Sequence, residues 1–178
     1  MYVAEIFESF HGEVNGHHQG RAVTFIRLSG CNLRCAYCDT QETWDRLYGT
    51  NLNPAQILDI VVYKGRKHVC ITGGEPLARD KDELLALIHI LSENGYRISV
   101  ETNGTLDISP YAKFVDSFVI DYKVKGSLPF LHSNLVNLRK TDIIKFVVGN
   151  VEEVQFSLGI KKMIEKDYPS KVLYAFSP

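Results

Sequence analysis

No stretch of this chain approaches the ~20 consecutive apolar residues that a membrane-crossing helix requires. No basic, apolar leader opens it either, since Met1 runs directly into Tyr2-Val3-Ala4-Glu5-Ile6-Phe7. Neither a membrane partner nor a secretory signal is therefore expected. An excess of one charge is also missing: a formal net charge of -1 over 178 residues argues against a nucleic-acid surface, which needs clustered Lys and Arg. No Pro/Gly/Ser-rich linker, internal repeat or low-complexity tract interrupts the chain, so one domain over residues 1–178 is expected. Cysteine is scarce, with only 4 in the chain, and three of these are bunched together. That is no disulfide framework, and it points to a reducing, cytoplasmic setting.

What is present begins with those three cysteines, in Gly30-Cys31-Asn32-Leu33-Arg34-Cys35-Ala36-Tyr37-Cys38-Asp39-Thr40. A segment this short cannot place three sulfurs on one helix face, so the chain must loop around what it binds. Structural zinc takes four closed ligands, whereas three thiolates leave one iron of a [4Fe-4S] cluster open to an outside chelator. A zinc knob completed by a histidine remains the alternative at this level. Cys70 sits in His68-Val69-Cys70-Ile71-Thr72, which reads as a buried strand where a free cysteine behaves as a small hydrophobe.

Periodicity predicts a strand over Val23 to Leu28, a helix from Pro54 to Val62 capped by Asn53, and a strand over His68 to Thr72. A helix capped by Asp80 and ended by Asn94-Gly95 follows, with Leu84, Leu87, Ile88 and Leu91 on one face. Further strands are expected over Arg97 to Glu101, Phe118 to Asp121, Ile143 to Val148 and Val172 to Phe176. Ser109-Pro110 should open a short helix, and Asn150 caps another that reaches Ile164. Gly126 to Lys140 resists assignment. Six strands alternating with helices predict an α/β fold of parallel βα units, whose functional groups gather at the carboxyl ends of the strands. Those ends carry the cysteine loop, Thr72-Gly73-Gly74-Glu75-Pro76, Glu101-Thr102-Asn103-Gly104-Thr105 and Asp121-Tyr122-Lys123.

Cys31, Cys35 and Cys38, with Tyr37 before the last thiol and Gly73-Gly74-Glu75-Pro76 after the second strand, resemble the radical S-adenosylmethionine superfamily. More narrowly, Glu5 to Glu13, Gly20 to Thr40 and Glu101 to Thr105 resemble the 7-carboxy-7-deazaguanine synthases. The resemblance implies a partial (β/α)6 barrel of six mainly parallel strands holding a [4Fe-4S] cluster, S-adenosyl-L-methionine and Mg2+. It implies a lyase reaction in queuosine biosynthesis, the ring contraction of a pterin, 6-carboxy-5,6,7,8-tetrahydropterin, with loss of ammonia. A flavodoxin-like electron donor and a homodimer come with it.

Carried over by position, Cys31, Cys35 and Cys38 hold the cluster. Tyr37, Gly73, Gly74, Glu75, Glu101, Asn103 and Lys123 face the cofactor, and His11, Gly12, Glu13, Arg27 and Thr72 face the substrate. Thr40 would ligate magnesium. His11 stands where glutamine is expected, Asp121-Tyr122-Lys123 replaces Ser-Pro-Lys, and the chain ends at Phe176-Ser177-Pro178, short of the helix and tail that the resemblance implies. A glycyl-radical-enzyme activating enzyme, or a non-catalytic iron-sulfur electron carrier, is the rival reading.

Overall fold

In a computed structural model that describes residues 1–14, 18–124, 132–168 and 172–178, a single eight-stranded sheet organises the chain. Its strands are β1 (Tyr2–Phe10), β2 (Ala22–Leu28), β3 (Thr50–Asn51), β4 (His68–Gly73), β5 (Arg97–Thr102), β6 (Ser117–Tyr122), β7 (Ile143–Val147) and β8 (Leu173–Ser177). The spatial order is β3-β1-β2-β4-β5-β6-β7-β8. From β2 to β8 every neighbour pairs in parallel. These are the six expected strands, and their mainly parallel sheet is the α/β frame of the partial barrel. The expectation of six strands in all needs correction, because β1 pairs antiparallel with β2, and β3 with β1. β1 escapes a sequence reading because Glu5, Glu8 and Ser9 lie among its apolar residues and, Val3 apart, the strand is half-buried or exposed.

Strand alternation gives the sheet two chemically different faces. Ile26, Leu28, Val69, Ile71, Ile98, Val100, Phe118, Ile120, Ile144 and Phe146 belong to one hydrophobic core. Against that core pack α1 (Pro54–Lys64) through Ile57 and Val61, and α2 (Lys81–Glu93) through Leu84, Leu87, Ile88 and Leu91, all fully buried. Burying one such side chain contributes about 1.5–3 kcal/mol, so this face carries most of the apolar driving force. The interleaved positions, Arg27, Thr72, Glu101, Asp121 and Lys145, are polar and line the opposite side.

The helix ends follow their local chemistry. Asn53 and Gln56 form a reciprocal capping box at α1, which Gly65 closes at φ 73°. The Asp80 carboxylate accepts from the amides of Asp82 and Glu83 to start α2. Helix α4 (Val151–Asp167) is capped by Asn150 and runs three residues beyond Ile164. Ser109-Pro110 does not open a helix. The segment makes successive turns instead, with Asp107 accepting from both the amide and the hydroxyl of Ser109, a local bonding pattern that competes with helix. Of the unassigned stretch, Asn134–Asn137 forms the single-turn helix α3, and residues 126–131 lie outside the described residues.

Candidate functional site

At the carboxyl ends of β2, β4, β5 and β6 a cavity of about 390 Å³ opens, and β7 adds Lys145 and Val147 to its wall. The loop after β2 forms one side, with Cys31, Cys35 and Cys38 all facing the cavity as free, partly buried thiols. Backbone bonds hold this loop in shape. The Gly30 amide donates to Thr43 O at 2.7 Å, the Cys38 amide to Cys35 O at 3.0 Å, and the Thr43 hydroxyl to Thr40 O at 2.7 Å. Arg34 donates to the carbonyls of Cys31 and Leu33 at 2.8 and 2.7 Å and lies over the Trp44 ring.

Burial pushes the Cys31 thiol up, and the nearby Glu75, Cys35 and Cys38 push it further. Three sulfurs that repel one another as thiolates need a cation among them, so this donor set fits an iron-sulfur cluster. Cys70 is fully buried, as expected, but it is not surrounded by hydrocarbon alone. Its thiol donates to Glu101 Oε1 at 3.4 Å, so Cys70 belongs to a neighbouring cluster rather than to the loop.

The Gly73-Gly74-Glu75 turn has a structural cause that the sequence does not reveal. A Cβ on Gly73, at φ 129°, would sit 2.0 Å from Leu28 O, and one on Gly74 would sit 2.5 Å from Gly30 O. Both glycines therefore let the end of β4 close against the start of the cysteine loop. The Gly74 amide bonds Leu28 O and the Glu75 amide bonds Gly30 O, both at 2.9 Å.

Glu75 is buried, and its carboxylate is engaged by the chain itself. Oε1 accepts from the Leu77 amide at 3.0 Å and the Thr102 hydroxyl at 2.7 Å, and Oε2 accepts from the Asn103 amide at 2.6 Å. Burial pushes its pKa up to about 6 against the opposing pull of those donors. Glu75 thus braces the β4 and β5 rims together, with the half-buried backbone of Gly73 and Gly74 beside the cavity. Asn103 continues the brace: its side-chain Nδ2 donates to Asn32 Oδ1 at 2.9 Å, and Asn32 Nδ2 donates to the Thr105 hydroxyl at 2.8 Å. Asn32 went unnoticed in the sequence, although its place inside the cysteine loop was the available signal.

Charged groups alternate across the cavity floor. Arg27 gives Nε to Glu5, at 2.7 Å, and its guanidinium lies over Phe7. Thr72 donates to Glu101 Oε2 at 2.7 Å, and burial raises the pKa of Glu101. Lys145 bridges Glu13 Oε1 at 2.5 Å and Asp121 Oδ1 at 3.0 Å. Burial alone would lower the Lys145 pKa, but the two carboxylates outweigh it and hold the ammonium charged. Lys123 pairs with Asp121 at 2.7 Å and approaches the Tyr37 ring. Thr40 stands beside Cys38 and Asp39, its hydroxyl 3.8 Å from the sulfur and 3.4 Å from Oδ1.

Most of the expected residues thus share one cavity, with two exceptions. His11 is buried behind the floor, with Nε2 3.1 Å from Ser99 Oγ and its ring stacked on Phe25. Gly12 is exposed and does not line the cavity. Lys145 was missed because Lys in Ile143–Val147 reads as one polar position in a strand, and only pairing with β6 sets it opposite Asp121.

Known proteins resemble this chain. The Radical SAM superfamily profile matches residues 25–132. A 7-carboxy-7-deazaguanine synthase of Methanospirillum hungatei JF-1 is 38% identical over 179 aligned positions, covering 100% of this chain and 72% of the relative. The enzyme of the same name from Clostridium acetobutylicum is 36% identical over 165 positions, covering 89% and 73%. The crystal structure of QueE from Escherichia coli superposes with a TM-score of 0.77 at 26% identity, covering 99% of this chain and 82% of that one. The chain belongs to the radical SAM superfamily and, within it, to the family of the 7-carboxy-7-deazaguanine synthases.

Proposed function

We propose that this chain converts 6-carboxy-5,6,7,8-tetrahydropterin to 7-carboxy-7-deazaguanine with loss of ammonia. Family membership makes it a radical SAM enzyme that uses a [4Fe-4S] cluster and S-adenosyl-L-methionine, and it displaces the zinc-knob and electron-carrier readings. The observation that carries the specific reaction is the cavity floor. Arg27, Glu13 and Lys145 there offer opposite charges within reach of the three-cysteine loop, matching a substrate with a carboxylate at one edge and a guanidine-like edge at another.

Cys31, Cys35 and Cys38 would hold the cluster, and the backbone of Gly73 and Gly74 would receive the methionyl amine. Tyr37, Glu101, Asn103 and Lys123 would flank the rest of the cofactor. When bound, the cluster and S-adenosyl-L-methionine supply a 5'-deoxyadenosyl radical for hydrogen abstraction at the pterin carbon bearing the carboxylate. The Arg27 guanidinium would pair with that carboxylate, since a planar fork matches it with two parallel bonds. Glu13 would accept from the guanidine-like edge, with Lys145 fixing its orientation and charge. Thr72 would sit beside the substrate through its bond to Glu101. The oxygens of Thr40 and Asp39 suit a magnesium ion, a hard cation that takes oxygen ligands. His11 would act from behind the floor rather than by contact.

A flavodoxin-like electron donor would supply the single electron. A homodimer is supported by apolar exposure along α4 at Val151, Phe156 and Leu158 and on the outermost strand β8 at Phe176. The test of the reaction is direct. The anaerobically reconstituted chain, given the carboxytetrahydropterin, S-adenosyl-L-methionine, Mg2+ and a reductant, should form 7-carboxy-7-deazaguanine and ammonia. Cofactor cleavage without deazaguanine would move the chain to another radical reaction.

A further inference from the structure

Beneath the cavity floor three side chains of different donor chemistry converge. His11 follows β1, Cys70 lies in β4 and Glu101 in β5, and one ligand atom from each falls within 4.8 Å of the other two. His11 is 1% exposed and Cys70 is 0% exposed, so water does little to explain why these groups meet. We propose that His11, Cys70 and Glu101 form a second metal site, separate from the three-cysteine loop, for a divalent transition metal of the zinc class.

The donor set selects the class of ion. One imidazole nitrogen, one thiolate and one carboxylate oxygen are borderline-soft as a group, which suits zinc, cobalt or ferrous iron rather than magnesium or calcium. A tetrahedron with zinc bonds of about 2.3 Å to sulfur and about 2.0–2.1 Å to nitrogen has ligand-to-ligand edges of roughly 3.3–3.8 Å. The Cys70 sulfur already lies 3.4 Å from Glu101 Oε1, so one edge is in place, and the two edges to His11 are within 4.8 Å.

The surroundings are built as well. The His11 backbone is fixed from both sides, its amide donating to Arg21 O and its carbonyl accepting from Gly20, each at 2.9 Å. Its ring rests on Phe25, and Ser99 Oγ stands beside Nε2. Thr72 donates to the second Glu101 oxygen at 2.7 Å, which orients the carboxylate as outer partners orient metal ligands. Three protein ligands leave one position unfilled. Glu101 and Thr72 both line the cavity, so that position opens toward it, and the ion enters from there. Binding displaces the Cys70 proton to solvent, so occupancy falls as the pH falls. The site stands whether or not the cavity takes a pterin.

The experiment uses the cluster-loaded chain with one equivalent of Zn2+, desalted, and read by metal analysis and zinc X-ray absorption. The expected result is one zinc per chain with a single sulfur neighbour at about 2.3 Å and nitrogen or oxygen at about 2.0–2.1 Å, with the iron content unchanged. Cys70→Ser should remove the sulfur shell, and His11→Gln should keep it, each weakening zinc binding roughly tenfold or more. Zinc with two or three sulfur neighbours would mean occupation of the cysteine loop instead. That result, no retained zinc, or a spectrum unchanged in Cys70→Ser would overturn the site. The spectrum of the unaltered chain decides the matter even if a variant fails to fold.

Discussion

Lys145 donates to Glu13 Oε1 at 2.5 Å, joining two residues 132 positions apart in sequence. The same ammonium reaches Asp121 Oδ1 at 3.0 Å, and the three groups are at most a quarter exposed. Removing the cation strips Glu13 of its partner on a poorly solvated floor and leaves Asp121 to Lys123. Lys145→Met should therefore destabilise the chain by about 2–3 kcal/mol in urea unfolding. Adding Glu13→Gln should recover part of this, with a coupling energy of about 1–2 kcal/mol. An unchanged midpoint in Lys145→Met would contradict the bridge.

Arg27 gives Nε to Glu5 and stacks on Phe7, so its position is fixed before any substrate arrives. Lysine keeps the charge but cannot offer two parallel bonds. Arg27→Lys should lower kcat/KM for the pterin roughly tenfold or more. Reductive cleavage of S-adenosyl-L-methionine without substrate should be unaffected. Loss of that cleavage as well would mean that Arg27 serves the cofactor.

The two glycines at the end of β4 should prove intolerant for reasons of packing. Gly73→Ala drives a methyl to 2.0 Å from Leu28 O at φ 129°, and Gly74→Ala drives one to 2.5 Å from Gly30 O. Both meet backbone, which cannot swing away, so each should cost at least about 3 kcal/mol by denaturant unfolding. Gly12→Ala meets nothing within 4 Å and should change stability by less than about 0.5 kcal/mol.

Glu75 predicts a pH dependence of stability. Burial raises its pKa from 4.5 to about 6, so the folded chain binds this proton more tightly than the unfolded chain does. Its contribution is fully present below pH 4.5 and is lost as the pH rises through about 6, a change of about 2 kcal/mol. Urea unfolding of the native chain and of Glu75→Gln across this range should differ by that slope, native minus variant falling with pH. A difference independent of pH would contradict the assignment.

Much of this architecture was legible in the sequence. The parallel strands, α1, α2 and α4 announce themselves through apolar periodicity and through caps at Asn53, Asp80 and Asn150. The cysteine spacing and the glycine pair pointed to the rim of the cavity. Illegible were features that exist only across strands. β1 mixes charged and apolar residues because the two-residue β3 covers its outer side at Tyr2 and Val3, and the remainder is half-buried or exposed and tolerates both. Lys145 acquires its meaning from Asp121 on β6 and from Glu13, 132 positions away in sequence. Glu75 reads as a ligand of the cofactor until Thr102, Asn103 and Leu77 are seen to occupy its carboxylate. His11 reads as a substrate contact until the fold turns it beneath the floor beside Cys70 and Ser99.

The central claim is that the radical formed at the three-cysteine loop attacks the pterin held above Arg27 and Glu13. It is tested most directly with 6-carboxytetrahydropterin deuterated at the carbon bearing the carboxylate, supplied to the reconstituted chain with S-adenosyl-L-methionine, Mg2+ and reductant. The account predicts deuterium in the 5'-deoxyadenosyl group, recovered in S-adenosyl-L-methionine or 5'-deoxyadenosine, together with 7-carboxy-7-deazaguanine. Unlabelled 5'-deoxyadenosine with the pterin left intact would contradict it.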